Sequence, residues 1–123
     1  MIQYCAMQYH NWNAVEEEPL NPLIGRKMIH GQTMTVARIR LRKGAVVPMH
    51  SHPNEQISML ESGALRFTIS GEERVLRAVQ VVVDEQFTKV EATEPKSTVV
   101  AVVENPVPVS VVMTLPAASL ASR

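Results

Sequence analysis

An all-β sandwich or barrel is the fold class that this sequence predicts, and three observations carry that reading. Turn signals recur at short intervals: Asn21-Pro22, His30-Gly31, Lys43-Gly44, Pro53-Asn54, Ser62-Gly63, Ser70-Gly71, Glu94-Pro95 and Asn105-Pro106. The segments between them are brief and rich in Val, Ile, Thr and Met, as short strands are. No stretch carries the periodicity of a helix of three or more turns.

Taken in chain order, "MIQYCAMQYHNW" reads as a weak arm able to pair at a sheet edge, and Glu16-Glu17-Glu18 as a solvated charge run before Pro19. "MTVARIRLRKG" alternates, which sets Arg38, Arg40 and Arg42 on one face. An arginine stripe of that kind is solvated or lines a subunit contact; the other reading is a grip on an anionic sugar acid or phosphate. Leu65-Arg66-Phe67-Thr68-Ile69 alternates strictly, one face apolar and one polar. "VQVVV" (79–83) and "VVAVV" (99–103) hardly alternate, so both of their faces need cover. A second copy of the chain is the simplest cover, and a homodimer is expected. The end, "LPAASLASR", is small and polar enough to fray.

With 123 residues there is room for one domain over 1–123, its core spanning about 12–115. Hydrophobic residues at 46% and charged residues at 20% suit a globular chain and exclude disorder. Twelve Lys plus Arg balance twelve Asp plus Glu, so no net field recruits nucleic acid or an anionic membrane. The longest apolar run, Val99 to Val103, is far too short for a membrane helix. No charged n-region precedes Arg26, and Cys5 is the lone cysteine, so a cytoplasmic location is expected. Neither a phosphate-binding glycine loop nor a nucleophile with an orienting partner is visible.

The most informative stretch is "GAVVPMHSHPNEQISMLESG" (44–63), which holds two of the four histidines. Residues two apart on a strand share a face, so His50 and His52 can converge, and Gln56 has the same parity. Two neutral imidazoles and an amide oxygen form a borderline site suited to a divalent transition metal: Zn, Mn, Fe, Co or Ni. Such a set leaves coordination positions open for water or substrate. Met49, Met59 and Phe67 are expected to line the pocket, the methionines at its mouth. His10 and His30 read as surface residues.

Here the sequence resembles the cupin family, whose first motif runs Gly, five residues, His, one, His, three or four, Glu, six, Gly. Gly44, His50, His52, Gln56 and Gly63 keep every spacing, with Gln for Glu as in small single-domain cupins of the "HSHPxEQ" type. The likeness covers roughly residues 12 to 106 and implies a cupin jelly-roll barrel of RmlC-like architecture. Cupins usually complete a metal site with a third histidine from a second motif. In "LRAVQVVVDEQFTKVEA", Val79-Gln80 stand where Gly-Asp is usual, Asp84-Glu85 replace an Ile-Pro region, and the histidine falls on Lys89 or Val90.

Three arrangements stay open. A metal on His50, His52 and Gln56 can complete its shell with water or with Glu55, Glu85 or Glu91. The Lys89 ammonium can instead point into the barrel mouth and attract an anion. Or Lys89 faces solvent. The resemblance implies a metal-dependent isomerase, lyase or oxygenase acting on a small polar metabolite such as a sugar acid. The competing reading is a metal-free or weakly metal-binding cupin that binds or senses a small molecule. The motif up to Gly63 looks most like the uronate-ketonising cupins, but their Asp-x-Phe-x-Pro tail is here Val102, Glu104 and Pro106, and the following arginine is missing. Without that acid, their proton shuttle is not expected.

Overall fold

A computed structural model of the chain describes residues 7–50, 54–84 and 88–104. Among these, helical structure is limited to one 3-10 turn, Trp12–Ala14, capped by Asn11, whose side chain accepts from Asn13 N–H at 2.8 Å. Ten strands follow: β1 (Glu18–Asn21), β2 (Ile24–His30), β3 (Met34–Arg42), β4 (Val46–His50), β5 (Gln56–Ser62), β6 (Ala64–Ile69), β7 (Glu72–Arg77), β8 (Val81–Asp84), β9 (Thr88–Ala92) and β10 (Lys96–Glu104). They form a six-stranded sheet in the order β1-β2-β3-β10-β5-β8 and a four-stranded sheet in the order β4-β9-β6-β7. Every pairing is antiparallel.

The alternation visible in the sequence decides which face of each strand enters the core. On β3, Thr35, Ala37, Ile39 and Leu41 are buried while Arg38 and Arg40 point outward. On β10, Val99, Ala101 and Val103 face in between the same neighbours. Leu65 and Phe67 of β6, Val47 of β4 and Val90 of β9 approach from the opposite sheet, and the two inner faces share one hydrophobic cluster. Burying these side chains is the main source of stability, at about 1.5–3 kcal/mol for each large one.

The two strands without alternation have separate outcomes. Outward-facing Val100 and Val102 of β10 are half-buried between β3 and β5. Outward-facing Val81 and Val83 of β8 are 54% and 53% exposed, opposite Met59 and Ile57 of β5. The described residues therefore leave an apolar strip at the β5–β8 edge of the large sheet.

The acidic run is not simply solvated. Arg40 grips Glu17 through two bonds, Nη2 to Oε1 at 2.6 Å and Nε to Oε2 at 3.1 Å. Glu18 begins β1 and accepts at 2.7 Å from Arg26, which is buried. The 3-10 turn is tied down by Lys27, whose Nζ donates to Trp12 O at 2.8 Å. Met1 to Ala6 of the expected arm lie outside the described residues; β1 is the segment that pairs at the sheet edge.

Two positions carry backbone demands that differ in kind. Gly63 has φ +84° between β5 and β6, and a Cβ there would collide with Ser97 Oγ and the Lys96 carbonyl. Ser97 cannot give way, because its hydroxyl accepts from Ala64 N–H at 3.1 Å and donates to Ala64 O at 3.2 Å in a fully buried setting. Val79 has φ +63° as the third residue of a turn closed by Gln80 N–H to Arg77 O at 2.9 Å. That position favours glycine, and a β-branched residue is strained there. The chain thus keeps a glycine conformation where the cupin motif has its Gly. Gly63→Ala should destabilise by about 3 kcal/mol, whereas Val79→Gly should stabilise by about 1 kcal/mol, both read from the urea unfolding midpoint.

Candidate functional site

The site begins with a break in alternation. On β4, Val47 pairs with Val90 and His50 with Thr88, three residues against two, so a bulge lies between them. Pro48 sits inside the bulge, a position at which a strand tolerates a residue without a backbone N–H. Regular alternation from Val47 would turn Met49 inward and His50 outward. The extra residue reverses this: His50 faces the interior and Met49 is 46% exposed.

The bulge also sets the histidine's tautomer. His50 Nδ1 lies 2.9 Å from the Pro48 carbonyl, and a carbonyl only accepts, so Nδ1 carries a proton, and in the neutral tautomer the lone pair is on Nε2. Across the barrel Gln56, the first residue of β5, directs its amide inward. Its Nε2 donates to the Ser58 hydroxyl at 3.1 Å, while its buried Oε1 has no hydrogen-bond partner. Thr88 faces His50 from β9 and is 3% exposed.

These four polar residues line one part of a cavity of about 40 Å³ whose remaining wall is apolar, Leu65, Phe67 and Val99 among it. By that measure it admits on the order of one to three waters. No charged side chain lines it among the described residues. An orphaned buried acceptor costs about 1–3 kcal/mol, so Gln56 Oε1 calls for a donor or a cation.

The expected site residues divide clearly. His50, Gln56 and Phe67 come together on the cavity wall. His52 and Glu85 lie outside the described residues. Glu55 is exposed. Met59, like Met49, is not at the pocket mouth: its neighbours Ser58 and Leu60 take the inner face of β5, leaving it 44% exposed.

Lys89 and Glu91 are a further correction. β9 buries Thr88, Val90 and Ala92, so the intervening Lys89 and Glu91 point out of the barrel, 3.5 Å apart. Arg66 of β6 joins Glu91 at 3.1 Å on that outer face. Neither the ammonium in the mouth nor the Glu91 carboxylate in the metal shell survives this parity. Thr88 and Val90 hold the inward positions instead.

Ser58 and Thr88 were not singled out in the sequence, though both carried a signal. Ser58 shares the parity of Gln56, and "TKVEA" alternates with Thr, Val and Ala on one side. Among the described residues no group of three His, Cys, Asp or Glu side chains converges as a metal site would require.

No protein-family model matches the chain, and no curated protein does. Solved structures do. The chain is similar to KdgF from Halomonas sp. at a TM-score of 0.76 and 23% identity, covering 80% of this chain and 94% of that one. It is similar to an RmlC-like cupin from Shewanella frigidimarina at 0.71 and 19%, covering 85% and 96%. A cupin-superfamily sugar phosphate isomerase from Silicibacter pomeroyi matches at 0.69 and 15%, covering 80% and 76%. With two antiparallel sheets closed around an inward-facing His50 and Gln56, the chain is a small jelly-roll barrel of the cupin fold.

Proposed function

We propose that this barrel holds a divalent transition metal on His50, His52 and Gln56 and binds or acts on a small polar metabolite such as a sugar acid. One observation carries the reading: the buried Gln56 Oε1 has no hydrogen-bond partner in a cavity that it shares with His50. Both described donors fit the group. His50 Nε2 is the lone-pair nitrogen, and Gln56 Nε2 is engaged by Ser58, so the amide presents oxygen rather than N–H. A metal held there would supply Lewis acidity toward a carbonyl or hydroxyl oxygen of the bound molecule.

The chain's own residues orient and exclude. Pro48 O holds the His50 ring, Ser58 holds the Gln56 amide, and the apolar wall leaves space for a few waters at most. A metabolite therefore enters only by its polar head. Fold neighbours include a sugar phosphate isomerase and a predicted oxalate decarboxylase from Thermotoga maritima, which supports a small oxygen-rich ligand. The reading extends to one cytoplasmic domain over 1–123, without nucleic acid or membrane partners. A second copy of the chain would cover the Ile57, Met59, Val81 and Val83 strip.

A second reading has its own observation. The inward positions of β9 carry Thr88 and Val90 rather than an imidazole, and among the described residues no three ligating side chains converge; this favours a metal-free or weakly metal-binding module that senses a small molecule.

Metal content separates the two readings. Protein purified without a histidine tag should carry close to one equivalent of transition metal, and the His50→Ala/His52→Ala double variant close to none. Equal, near-zero metal in both would favour the sensing module. The third position can be rebuilt: Thr88→His should tighten Zn(II) binding at least tenfold, about 1.4 kcal/mol, in competition with a chromophoric chelator. Lys89→His, pointing outward, should leave the affinity unchanged.

A further inference from the structure

The outer face of the six-stranded sheet carries a concentration of charge that the barrel interior does not use. Cross-strand register sets Lys27 against Arg38, Arg40 against Thr98, and Arg42 against Lys96, on three adjoining strands. A depression of about 220 Å³ opens among them, lined by Lys27, Arg38, Arg40, Lys96, Thr98 and Glu17. Four cationic side chains thus face one another across a hydroxyl, with a single carboxylate in the wall.

That carboxylate marks where the positive charge converges. Glu17 lies against the backbone of β2, because any Cβ at Gly25 would collide with its side chain. The hydrogen bond from Arg40 is the main cause holding its carboxyl below the usual range; the charges of Arg40, Lys27 and Arg42 also contribute. Arg38 is tied to Glu61 at 2.8 Å from the neighbouring strand. Among the described residues, Lys27, Arg42 and Lys96 have no carboxylate partner. Like charges held this close raise each other's energy, and an additional anion relieves the repulsion.

We infer that this depression is an anion site outside the barrel, taking the phosphate group of a small phosphorylated molecule. Lys27, Arg38 and Lys96 supply its charge, Thr98 a hydroxyl donor, and Glu17 fills part of it as an internal carboxylate. A phosphate dianion suits several separate cations better than a single carboxylate does, because three equivalent oxygens can be shared among them. The site is independent of the barrel cavity and of any metal bound there.

The test uses inorganic phosphate as probe on full-length, metal-stripped protein, followed by amide NMR at neutral pH. Sodium chloride of equal ionic strength and sodium acetate are the controls. Phosphate should shift the Lys27, Arg40 and Thr98 amides saturably, with acetate and chloride far weaker. Lys96→Gln, at an exposed position, should weaken phosphate binding at least about fivefold, the effect of one unit charge on another about 4 Å away in water. Glu17→Gln should tighten it by a similar factor. Shifts no larger than those with chloride, equal shifts with acetate, shifts centred on Thr88, or a Lys96→Gln variant that binds as the parent does would each overturn the proposal.

Discussion

A single inserted residue in β4 sets which side chains of that strand face the barrel interior. Between Val47 and His50 the strand advances three residues while β9 advances two, and the local alternation reverses. Without that bulge the imidazole would point to solvent and a methionine would fill the interior. Proline is the residue that tolerates the break, and its carbonyl holds the ring that the break turns inward. The cavity's polar end then follows from ordinary parity, with Gln56 and Ser58 on β5 and Thr88 on β9.

The polar end is unusual in its balance. It has four hydrogen-bonding side chains and no charge among the described residues, inside walls of valine, leucine and phenylalanine. In such surroundings an acceptor without a donor costs more than it would in water. Selection for stability alone would replace Gln56 by leucine or give its oxygen a partner. An unsatisfied oxygen in the same cavity as an oriented imidazole is the pattern expected of a binding site. The outer faces differ: Arg40 with Glu17, Arg38 with Glu61, and Lys89 with Glu91 and Arg66 all remain at the surface, where each pair contributes little to stability.

Much of this was legible from residue order because a β period of two is hard to mistake. "MTVARIRLRKG" and "LRFTI" declared their inner faces, and Gly63 marked a turn that only glycine fits. The errors came where the period is interrupted or its phase is uncertain. Met49 is expected at the pocket mouth but lies outside it, because the bulge at Pro48 shifts the phase of β4, and proline is the available sign of that bulge. The motif alignment puts the usual histidine on Lys89 or Val90 and leaves the direction of Lys89 open, whereas the apolar residues of "TKVEA" give the phase directly. The Val79 turn was hidden for another reason: the backbone keeps a conformation that its residue type disfavours.

The polar end of the cavity depends on the β4 bulge presenting His50 inward with Nδ1 bound to the Pro48 carbonyl. Side-chain nitrogen NMR of histidine-labelled protein tests it directly. Nδ1 of His50 should carry the proton, and Zn(II) should induce a shift confined to Nε2. A ring protonated at Nε2, or one indifferent to Zn(II), would contradict it.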